Sequence, residues 1–360
     1  MKLNYKIIIN VLVLAIFGVL MIYSSSYVWA EYKYNSPYKY LIYQSVFLIL
    51  GFIGMMIISK IDYKIYEKKS NVILLVCFLL LALVLIPGIG TIRNGSRSWF
   101  GIGPFGIQPS EISKIGLVIF TSKYLAKNNQ DKKFARKFVW PILIVIFLFF
   151  GLIMLEPDFG TGMVIVCSLV VLIFITGTKL DIFIRLGMLG LLGVVGLILA
   201  APYRVKRIIS FLNPWSDPLG SGFQIIQSLY AIGPGGLLGQ GFMHSRQKHF
   251  YLPEPQTDFI FSIITEEFGF VGCLFICILF SYLFYNLIKI AFKTNDLFGK
   301  YLTFGFSFML IFQTLLNLMV VVGLVPVTGV TLPFLSYGGS SLLVSMASIG
   351  IILNVNKNNS

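Results

Sequence analysis

The residues best suited to chemistry lie between Gly233 and Gly272, where a loop rich in glycine and proline runs into a long apolar stretch. Thr257 and Asp258 stand where this loop becomes an apolar helix. Either residue is a good helix N-cap, so a structural role is one interpretation. The other is catalytic, because a carboxylate at the edge of an apolar wall is suited to accept a proton as a general base.

Basic residues lie in this loop and in one neighbouring motif. The segment Ser245–Lys248 supplies two cations and amide donors, and Arg97 lies in the motif Asn94–Trp99. The two histidines, His244 and His249, have no cysteine or carboxylate at ligand spacing. A metal site is therefore not expected there.

Glu111 and Lys114 lie within an apolar stretch that begins at Gln108–Ser110, a typical helix entry with proline in the first turn. Their i,i+3 spacing places both on one helix face, so we expect the two side chains to pair. A buried structural salt bridge and the wall of a substrate cavity are both compatible with this pair.

Glu266 and Glu267 fall about two turns into the apolar stretch that follows the loop. Two adjacent carboxylates at membrane depth are unfavourable unless they pair with cations or face a wet cavity. We therefore expect their partners to be found among Lys114, Arg97 and Arg246.

Two turn motifs carry weaker signals. The segment Glu156–Asp158 separates two apolar runs, and it is interpreted either as a structural turn or as two carboxylates at the outer surface. Residues 101–106 match the pattern G-x-G-x-x-G, but no strand precedes them and Pro104 follows the second glycine. A nucleotide-binding site is therefore excluded for this segment.

The composition indicates a membrane protein. The chain has 360 residues, of which 57% are hydrophobic and 12% are charged, and its mean hydropathy is +0.87. Soluble globular domains average about 45–50% apolar and about 25% charged residues. The sequence predicts an all-α polytopic integral membrane protein in which residues 1–360 form a single transmembrane domain.

Ten apolar runs come close to the roughly 17–25 residues that a membrane-spanning helix needs. They are Ile7–Tyr23, Leu41–Ile58, Asn71–Pro87, Ile112–Leu125, Phe138–Leu155, Thr161–Thr176, Ile182–Ala200, Phe259–Leu287, Tyr301–Val325 and Gly338–Leu353. The first is interpreted as a span and not as a cleaved leader, because more runs follow it. We expect about ten transmembrane helices, with a long outer loop, residues 202–258, between the seventh and the eighth.

The distribution of charge predicts an orientation. The net charge is +14, from 28 Lys and Arg against 14 Asp and Glu. If the ten runs alternate from a cytoplasmic N-terminus, 18 of the 28 cations fall inside and nine acidic residues fall outside or at membrane depth. This agrees with the positive-inside rule and predicts that both termini are cytoplasmic. It also explains the basic charge as topology, so nucleic acid is not an expected partner.

Two irregular segments are expected at the membrane. The 202–258 loop interleaves aromatic and aliphatic residues with glycine and proline, which predicts short helices on or in the outer leaflet. Residues 323–341 carry two prolines and several glycines at membrane depth. Non-helical backbone at that depth is tolerated where it is buried in protein or lines a wet cavity, so a broken or re-entrant segment is expected.

Six collinear motifs give the sequence a specific resemblance. They are Asn94–Trp99, Gln108–Lys114, Pro157–Gly160, Asn213–Gln227, Gln247–Gly269 and Gly323–Ser341. Together they resemble the SEDS family (shape, elongation, division and sporulation), which comprises the FtsW, RodA and SpoVE proteins, over essentially the whole chain. Asn213–Trp215, Gly233–Gly236 and Ser245–Lys248 are closer to the FtsW/SpoVE branch than to RodA, and the short tail after Leu353 favours SpoVE within that branch. Ser98 and Met243 depart from the family pattern.

The resemblance implies an activity and a place for it. It implies polymerisation of lipid II, a lipid-linked disaccharide, into peptidoglycan strands at the outer face of the bacterial cytoplasmic membrane. It also implies a class B penicillin-binding protein as the partner that cross-links the strands. In the family the aspartate that matches Asp258 is essential, and the residues that match Trp99 and Glu111 are important.

An inverting glycosyl transfer is the mechanism that the resemblance and these residues favour, with Asp258 as the base. Arg97, Arg246 and Lys248, together with a divalent cation, are the candidates to hold the oxygens of the departing diphosphate. The candidate substrate-binding residues are Arg97, Trp99, Glu111, Lys114, Arg246 and Lys248, with Glu266 and Glu267 as intramembrane supporting residues. The alternative is a lipid II transporter (flippase), because intramembrane charges also mark translocation paths. A scaffold that only recruits a transpeptidase does not account for the outer carboxylates.

Overall fold

The structure is a computed structural model that describes residues 4–93, 95–101, 105–128, 139–178, 180–199, 205 and 211–359. These residues are mostly helical. The helices are α1 (Tyr5–Tyr34), α2 (Lys39–Ile58), α3 (Lys64–Val84), α4 (Pro109–Asn128), α5 (Val139–Leu155), α6 (Phe159–Ile175), α7 (Leu180–Leu199), α8 (Phe223–Ile232), α9 (Ile260–Lys293), α10 (Leu297–Val321) and α11 (Gly339–Asn359). One antiparallel hairpin pairs β1 (Thr91–Arg93) with β2 (Ser96–Trp99), and 3₁₀ turns cover Pro214–Ser216 and Gly233–Gly235.

The apolar runs become helices. Each of the ten runs overlaps one helix over most of its described length. Within the described ranges, α1, α2, α9, α10 and α11 are each long and apolar enough to cross a membrane, and α5 and α6 are shorter apolar helices. The prediction of a helical integral membrane protein is confirmed. The predicted 202–258 loop contains α8 and both 3₁₀ turns, while its residues 202–204 and 206–210 lie outside the described residues.

The helix α10 lies at the centre of the bundle, where it packs against α4, α6, α9 and α11. Two of its polar residues, Gln313 and Asn317, are buried there. A buried amide is unfavourable unless it is hydrogen-bonded. Both amides donate to backbone carbonyls beyond the end of α10, so they attach the irregular segment that follows to the centre of the protein.

That irregular segment, residues 322–338, joins α10 to α11 without a helix or strand of its own. Asn317 Nδ2 donates to the carbonyl oxygen of Val330 at 2.8 Å. On another side α1 approaches closely at Gly18, where an added Cβ would lie 2.6 Å from the carbonyl oxygen of Phe334. The 322–338 segment also lines a cavity, so the predicted broken segment is confirmed.

The helix α9 is interrupted at Gly269, whose positive φ of 61° is a conformation that glycine adopts most readily. The glycine-rich loop 233–241 inserts its backbone at this break. Two of its N–H groups donate to the carbonyls of Glu266 and Glu267, and two N–H groups beyond the break donate to loop carbonyls. The exchange satisfies the backbone groups that the break exposes and fixes the loop against α9.

Candidate active site

A cavity of about 620 Å³ lies among the β1–β2 hairpin, the N-terminal ends of α4 and α6, the loop before α9 and the 322–338 segment. Its wall carries four carboxylates, those of Glu111, Asp158, Glu254 and Asp258. Arg93 is the one cation among the described residues that line it. Ligand sites are typically concave pockets of about 300–1,000 Å³ with a few convergent polar groups, which makes this cavity the candidate active site.

Asp258 lies in the cavity wall immediately before α9. The helix begins at Ile260 without a side-chain cap, so the N-cap interpretation of Asp258 is wrong. Its backbone carbonyl accepts a 2.7 Å hydrogen bond from Asn317 Nδ2, the same amide that donates to Val330. The Thr257 hydroxyl donates to Asp258 Oδ1 at 2.9 Å. The backbone of Asp258 is thus fixed from α10, and its half-buried carboxylate lines the cavity.

Asp158, in the turn between α5 and α6, is held by three hydrogen bonds. Its Oδ1 accepts from the Thr161 N–H at 3.1 Å as the N-cap of α6. Its Oδ2 accepts from Gln108 Nε2 at 2.9 Å and from the Ser110 hydroxyl at 3.2 Å. The structural interpretation of this turn is therefore confirmed, and the same carboxylate also forms part of the cavity wall.

Glu156, two residues earlier, is fully buried, and neither of its carboxyl oxygens has a hydrogen-bond partner in the described part of the chain. Burial, together with repulsion from Asp158, raises the pKa of Glu156 to about 9. The side chain is therefore protonated at neutral pH and adds no charge beside the cavity.

The predicted pairing of Glu111 with Lys114 is confirmed. Lys114 Nζ lies 2.7 Å from Glu111 Oε1, and both side chains are buried. Lys114 also donates to Gln313 Oε1 at 2.8 Å, and Gln313 in turn donates to the carbonyl of Thr331 in the 322–338 segment. Glu111 lines the cavity and Lys114 does not. Both interpretations of this pair therefore apply, because the two residues form a buried salt bridge and Glu111 is also part of the cavity wall.

The expectation that Lys114, Arg97 and Arg246 pair with Glu266 and Glu267 is wrong. Lys114 is bound to side chains of α4 and α10, and Arg97 donates to a backbone carbonyl at the end of α3. Arg246 contacts Glu266 only through its backbone N–H, at 2.8 Å, and its side chain is exposed. The physical reason is the break in α9, because the loop inserted there brings a different set of groups onto the helix.

Glu267 is paired instead with Lys248, whose Nζ lies 3.0 Å from Glu267 Oε1, and both side chains are completely buried. The same carboxylate accepts from the Ser24 hydroxyl of α1, at 2.6 Å, and from the Ser245 N–H, at 3.3 Å. Burial lowers the pKa of Lys248, and the attraction of Glu267 opposes that shift. This network joins α1, the 245–248 loop and α9.

The three cations predicted to bind an anion, Arg97, Arg246 and Lys248, do not line the cavity. Arg97 Nη1 donates to the carbonyl of Leu85 at 3.5 Å, and Lys248 is buried in its ion pair. The structure therefore does not bring these three side chains together with Asp258. The geometry of the site therefore gives no support to a substrate-binding role for these three side chains.

Sequence reasoning missed Arg93. Its guanidinium carbon lies 4.7 Å from the centroid of the Trp99 ring, and both residues line the cavity. The missed signal is Asn94-Gly95, because an Asn-Gly pair between extended residues strongly favours a β-hairpin. In the observed register Thr91 lies opposite Trp99, which places Arg93 and Trp99 on one face of that hairpin.

The described residues offer no preformed site for a divalent cation. Among the described residues there is no group of three or more His, Cys, Asp or Glu side chains that could hold a metal ion. Both Asp158 oxygens already accept hydrogen bonds. No step of the reaction is therefore assigned to a protein-bound metal.

Comparison with known proteins now identifies the architecture. The family model of the FtsW/RodA/SpoVE cell cycle proteins matches residues 5–360. The chain belongs to this family. The FtsW/RodA/SpoVE match includes the hairpin, the cavity and the broken segment, so the candidate site lies within the family's own domain.

Two relatives from the FtsW/RodA/SpoVE family are similar over nearly their whole length. The stage V sporulation protein E of Bacillus subtilis (strain 168) is 51% identical over 352 residues, which cover 98% of this chain and 96% of the relative. The probable peptidoglycan glycosyltransferase FtsW of Geobacter sp. (strain M18) is 38% identical over 349 residues, which cover 97% and 95%.

A solved structure shares the same fold. It is a chain of a peptidoglycan synthase complex described for its structural coordination of polymerization and crosslinking. The TM-score is 0.82 with 30% sequence identity, and the match covers 100% of this chain and 99% of that chain.

Proposed function

We propose that this protein is a peptidoglycan glycosyltransferase that polymerises lipid II into glycan strands. Its FtsW relative carries the name of that activity, and the similar solved chain belongs to a peptidoglycan synthase complex. The observation that carries the proposal is the position of Asp258. This carboxylate, fixed through its own backbone, lies in the wall of a cavity of the size that binds small ligands.

The proposed reaction is a single inverting displacement. The acceptor sugar hydroxyl forms a bond to the anomeric carbon of the donor while the bond from that carbon to the lipid diphosphate breaks. Asp258 accepts the hydroxyl proton, and the departing diphosphate oxygen keeps the electron pair. A positioned general base contributes about 10²–10⁴-fold to the rate of such a step.

Other cavity residues are suited to bind the sugars. Trp99 presents an aromatic surface, and Glu111 keeps one carboxylate oxygen, Oε2, that has no hydrogen-bond partner among the described residues. That oxygen is buried, so a sugar hydroxyl can donate to it only after the carboxylate turns further into the cavity. We assign Trp99 and Glu111 to substrate binding, with Lys114 as the residue that fixes the orientation of Glu111.

The proposed setting is the bacterial cytoplasmic membrane, with ten spans, both termini in the cytoplasm and the cavity on the outer side. The bias of cations towards one set of loops supports this orientation. A cysteine introduced at Leu219, an exposed residue of the 202–258 loop, is expected to react with a membrane-impermeant maleimide in intact cells. A cysteine introduced at Lys127 is expected to react only after lysis.

We further propose a class B penicillin-binding protein as partner. The similar synthase complex couples polymerization to crosslinking, which supports a transpeptidase beside this chain. Lipid II polymerisation by the purified chain is expected to increase when such a transpeptidase is added. An unchanged rate and no co-purification would contradict the partner.

We propose that a divalent cation, where it takes part, is bound by the diphosphate of the substrate and not by a complete protein site. Mg²⁺ is commonly held by substrate phosphates with one or two carboxylates rather than by a complete protein site. Chelation by EDTA is expected to slow polymerisation without changing the melting temperature of the protein.

The alternative, a lipid II transporter, depended on charges within the membrane. The structure pairs Glu111 with Lys114 and Glu267 with Lys248, so these charges have structural partners and do not require a translocation path. The deciding experiment uses proteoliposomes that contain the purified chain and lipid II. Polymer formation supports the proposal, and transfer of lipid II between leaflets without polymer would contradict it.

A further inference from the structure

The cavity combines four carboxylates with one cation among its described lining residues, Arg93. A purely acidic cavity would repel a diphosphate. The substrate proposed above carries its reacting carbon on such a diphosphate, and negative charge grows on the departing oxygen during the reaction. The local position of the guanidinium is therefore the feature that decides where this anion can bind.

The guanidinium of Arg93 is held on two sides. The Trp99 ring lies on one side, 4.7 Å from the guanidinium carbon. On another side it packs against Gly106, where an added Cβ would collide with the guanidinium nitrogens. Nη2 also donates to the carbonyl of Gly101 at 3.5 Å. A guanidinium held in this way loses little freedom when it binds an anion.

Other cations near the site are committed elsewhere. Lys114 and Lys248 are buried in ion pairs. Arg97 donates to a backbone carbonyl, and Arg246 is exposed at a position outside the cavity wall. Among the described residues, Arg93 alone has its charge in the same cavity as Asp258.

We propose that Arg93, held between Trp99 and Gly106, binds the diphosphate of the lipid-linked donor and stabilises it as the leaving group. The planar guanidinium can donate two parallel N–H groups to phosphate oxygens, which a lysine cannot do. While the acceptor oxygen bonds to the anomeric carbon and Asp258 takes its proton, the electron pair of the broken bond passes to the diphosphate oxygen that faces Arg93. This inference rests on the proposed function, and it adds the group that receives the negative charge.

The test separates binding from chemistry. The variants are Arg93→Gln, Arg93→Lys and Gly106→Ala, the last of which displaces the guanidinium without changing charge. The matched control is Lys33→Gln, because Lys33 also lies over a tryptophan ring (Trp29, at 5.2 Å) but does not line the cavity. The probes are undecaprenyl diphosphate and uncharged undecaprenol, whose binding to the purified full-length chain is measured in detergent.

Arg93→Gln is expected to weaken binding of undecaprenyl diphosphate by about tenfold or more and to leave binding of undecaprenol unchanged. Arg93→Lys and Gly106→Ala are expected to weaken it by less, and Lys33→Gln is expected to match the wild type. In the polymerisation assay, Arg93→Gln is expected to lower both kcat and the apparent affinity for lipid II. The melting temperature identifies any variant that has not folded. If Arg93→Gln does not fold, the binding of undecaprenyl diphosphate by Gly106→Ala tests the inference instead.

Equal binding of undecaprenyl diphosphate by wild type, Arg93→Gln and Gly106→Ala would overturn the inference and leave the proposed function standing. A wild-type chain that binds the diphosphate through Arg93 but forms no polymer from lipid II would instead contradict the proposed function. Equal loss of undecaprenol and diphosphate binding in Arg93→Gln would show that Arg93 shapes the hairpin, which also overturns the inference.

Discussion

The ion pair between Lys248 and Glu267 gives the sharpest stability prediction. Both side chains are completely buried, and the carboxylate also accepts hydrogen bonds from Ser24 and Ser245. Removal of one partner from a buried pair typically costs about 3–5 kcal/mol, because the other charge is left without compensation. Lys248→Met is expected to fall in that range, since the Ser24 and Ser245 donors remain but no cation does.

The double variant tests whether the loss comes from the unpaired charge. In Lys248→Met with Glu267→Gln, the Glu267 charge that lost its partner is gone, and the amide oxygen still accepts from Ser24 and Ser245. Replacement of both charges by neutral groups of similar size is often close to neutral. The double variant is therefore expected to recover at least about 2 kcal/mol relative to Lys248→Met.

The assay is reversible unfolding of the purified chain in mixed micelles, followed by tryptophan fluorescence. Lys289→Met is the control, because Lys289 is exposed on the same helix as Glu267 and is expected to change stability by less than about 0.5 kcal/mol. The reasoning is refuted if Lys248→Met costs less than about 1 kcal/mol, or if the double variant is less stable than Lys248→Met.

Three further predictions concern the site and its supports. Asn317→Leu removes the amide that holds the backbone of Asp258 to the 322–338 segment, so the polymerisation kcat should fall at least tenfold with a smaller change in KM; an unchanged kcat would contradict this. The pKa of the Glu156 carboxyl is about 9 in the folded protein and 4.5 in the unfolded chain. Between these pH values the folded state holds one proton that the unfolded state has lost. The free energy of unfolding therefore falls as pH rises, by up to about 1.4 kcal/mol per pH unit. Glu156→Gln should flatten that profile in melting curves from pH 5 to 9, and an unaltered slope would refute the assignment. Gly18→Ala places a methyl group against the 322–338 backbone and should lower both stability and activity. Gly54→Ala, with open space around it in α2, should leave activity unchanged and should not lower stability, because alanine favours the helix. Equal losses in the two variants would contradict the packing argument.

Local spacing predicted the parts of the site that are local. Glu111 and Lys114 are one turn apart on a helix, so their pairing follows from helix geometry alone. The prolines and glycines of residues 323–341 also act locally, because they disfavour a continuous helix, so they indicated a broken segment at membrane depth. The apolar runs predicted the helices because backbone groups in lipid must be satisfied within the helix.

The parts that were missed depend on contacts between distant segments. The partner of Glu267 comes from a loop that reaches α9 only because the helix breaks at Gly269, and a single glycine within a helical pattern does not show such a break. Arg93 reaches the cavity through a short hairpin, and its Asn-Gly turn was the available signal. The cation that lines the same cavity as Asp258 is therefore set by the topology, and not by the basic residues of the motifs.

The most direct test of the central claim is lipid II polymerisation by the purified Asp258→Asn variant. Glu31→Gln serves as the control, since Glu31 is an exposed carboxylate of α1. The account predicts that Asp258→Asn lowers kcat by at least about 10²-fold while undecaprenyl diphosphate still binds and the melting temperature is unchanged, and that Glu31→Gln behaves as wild type. Normal glycan strands from the Asp258→Asn variant would contradict the account.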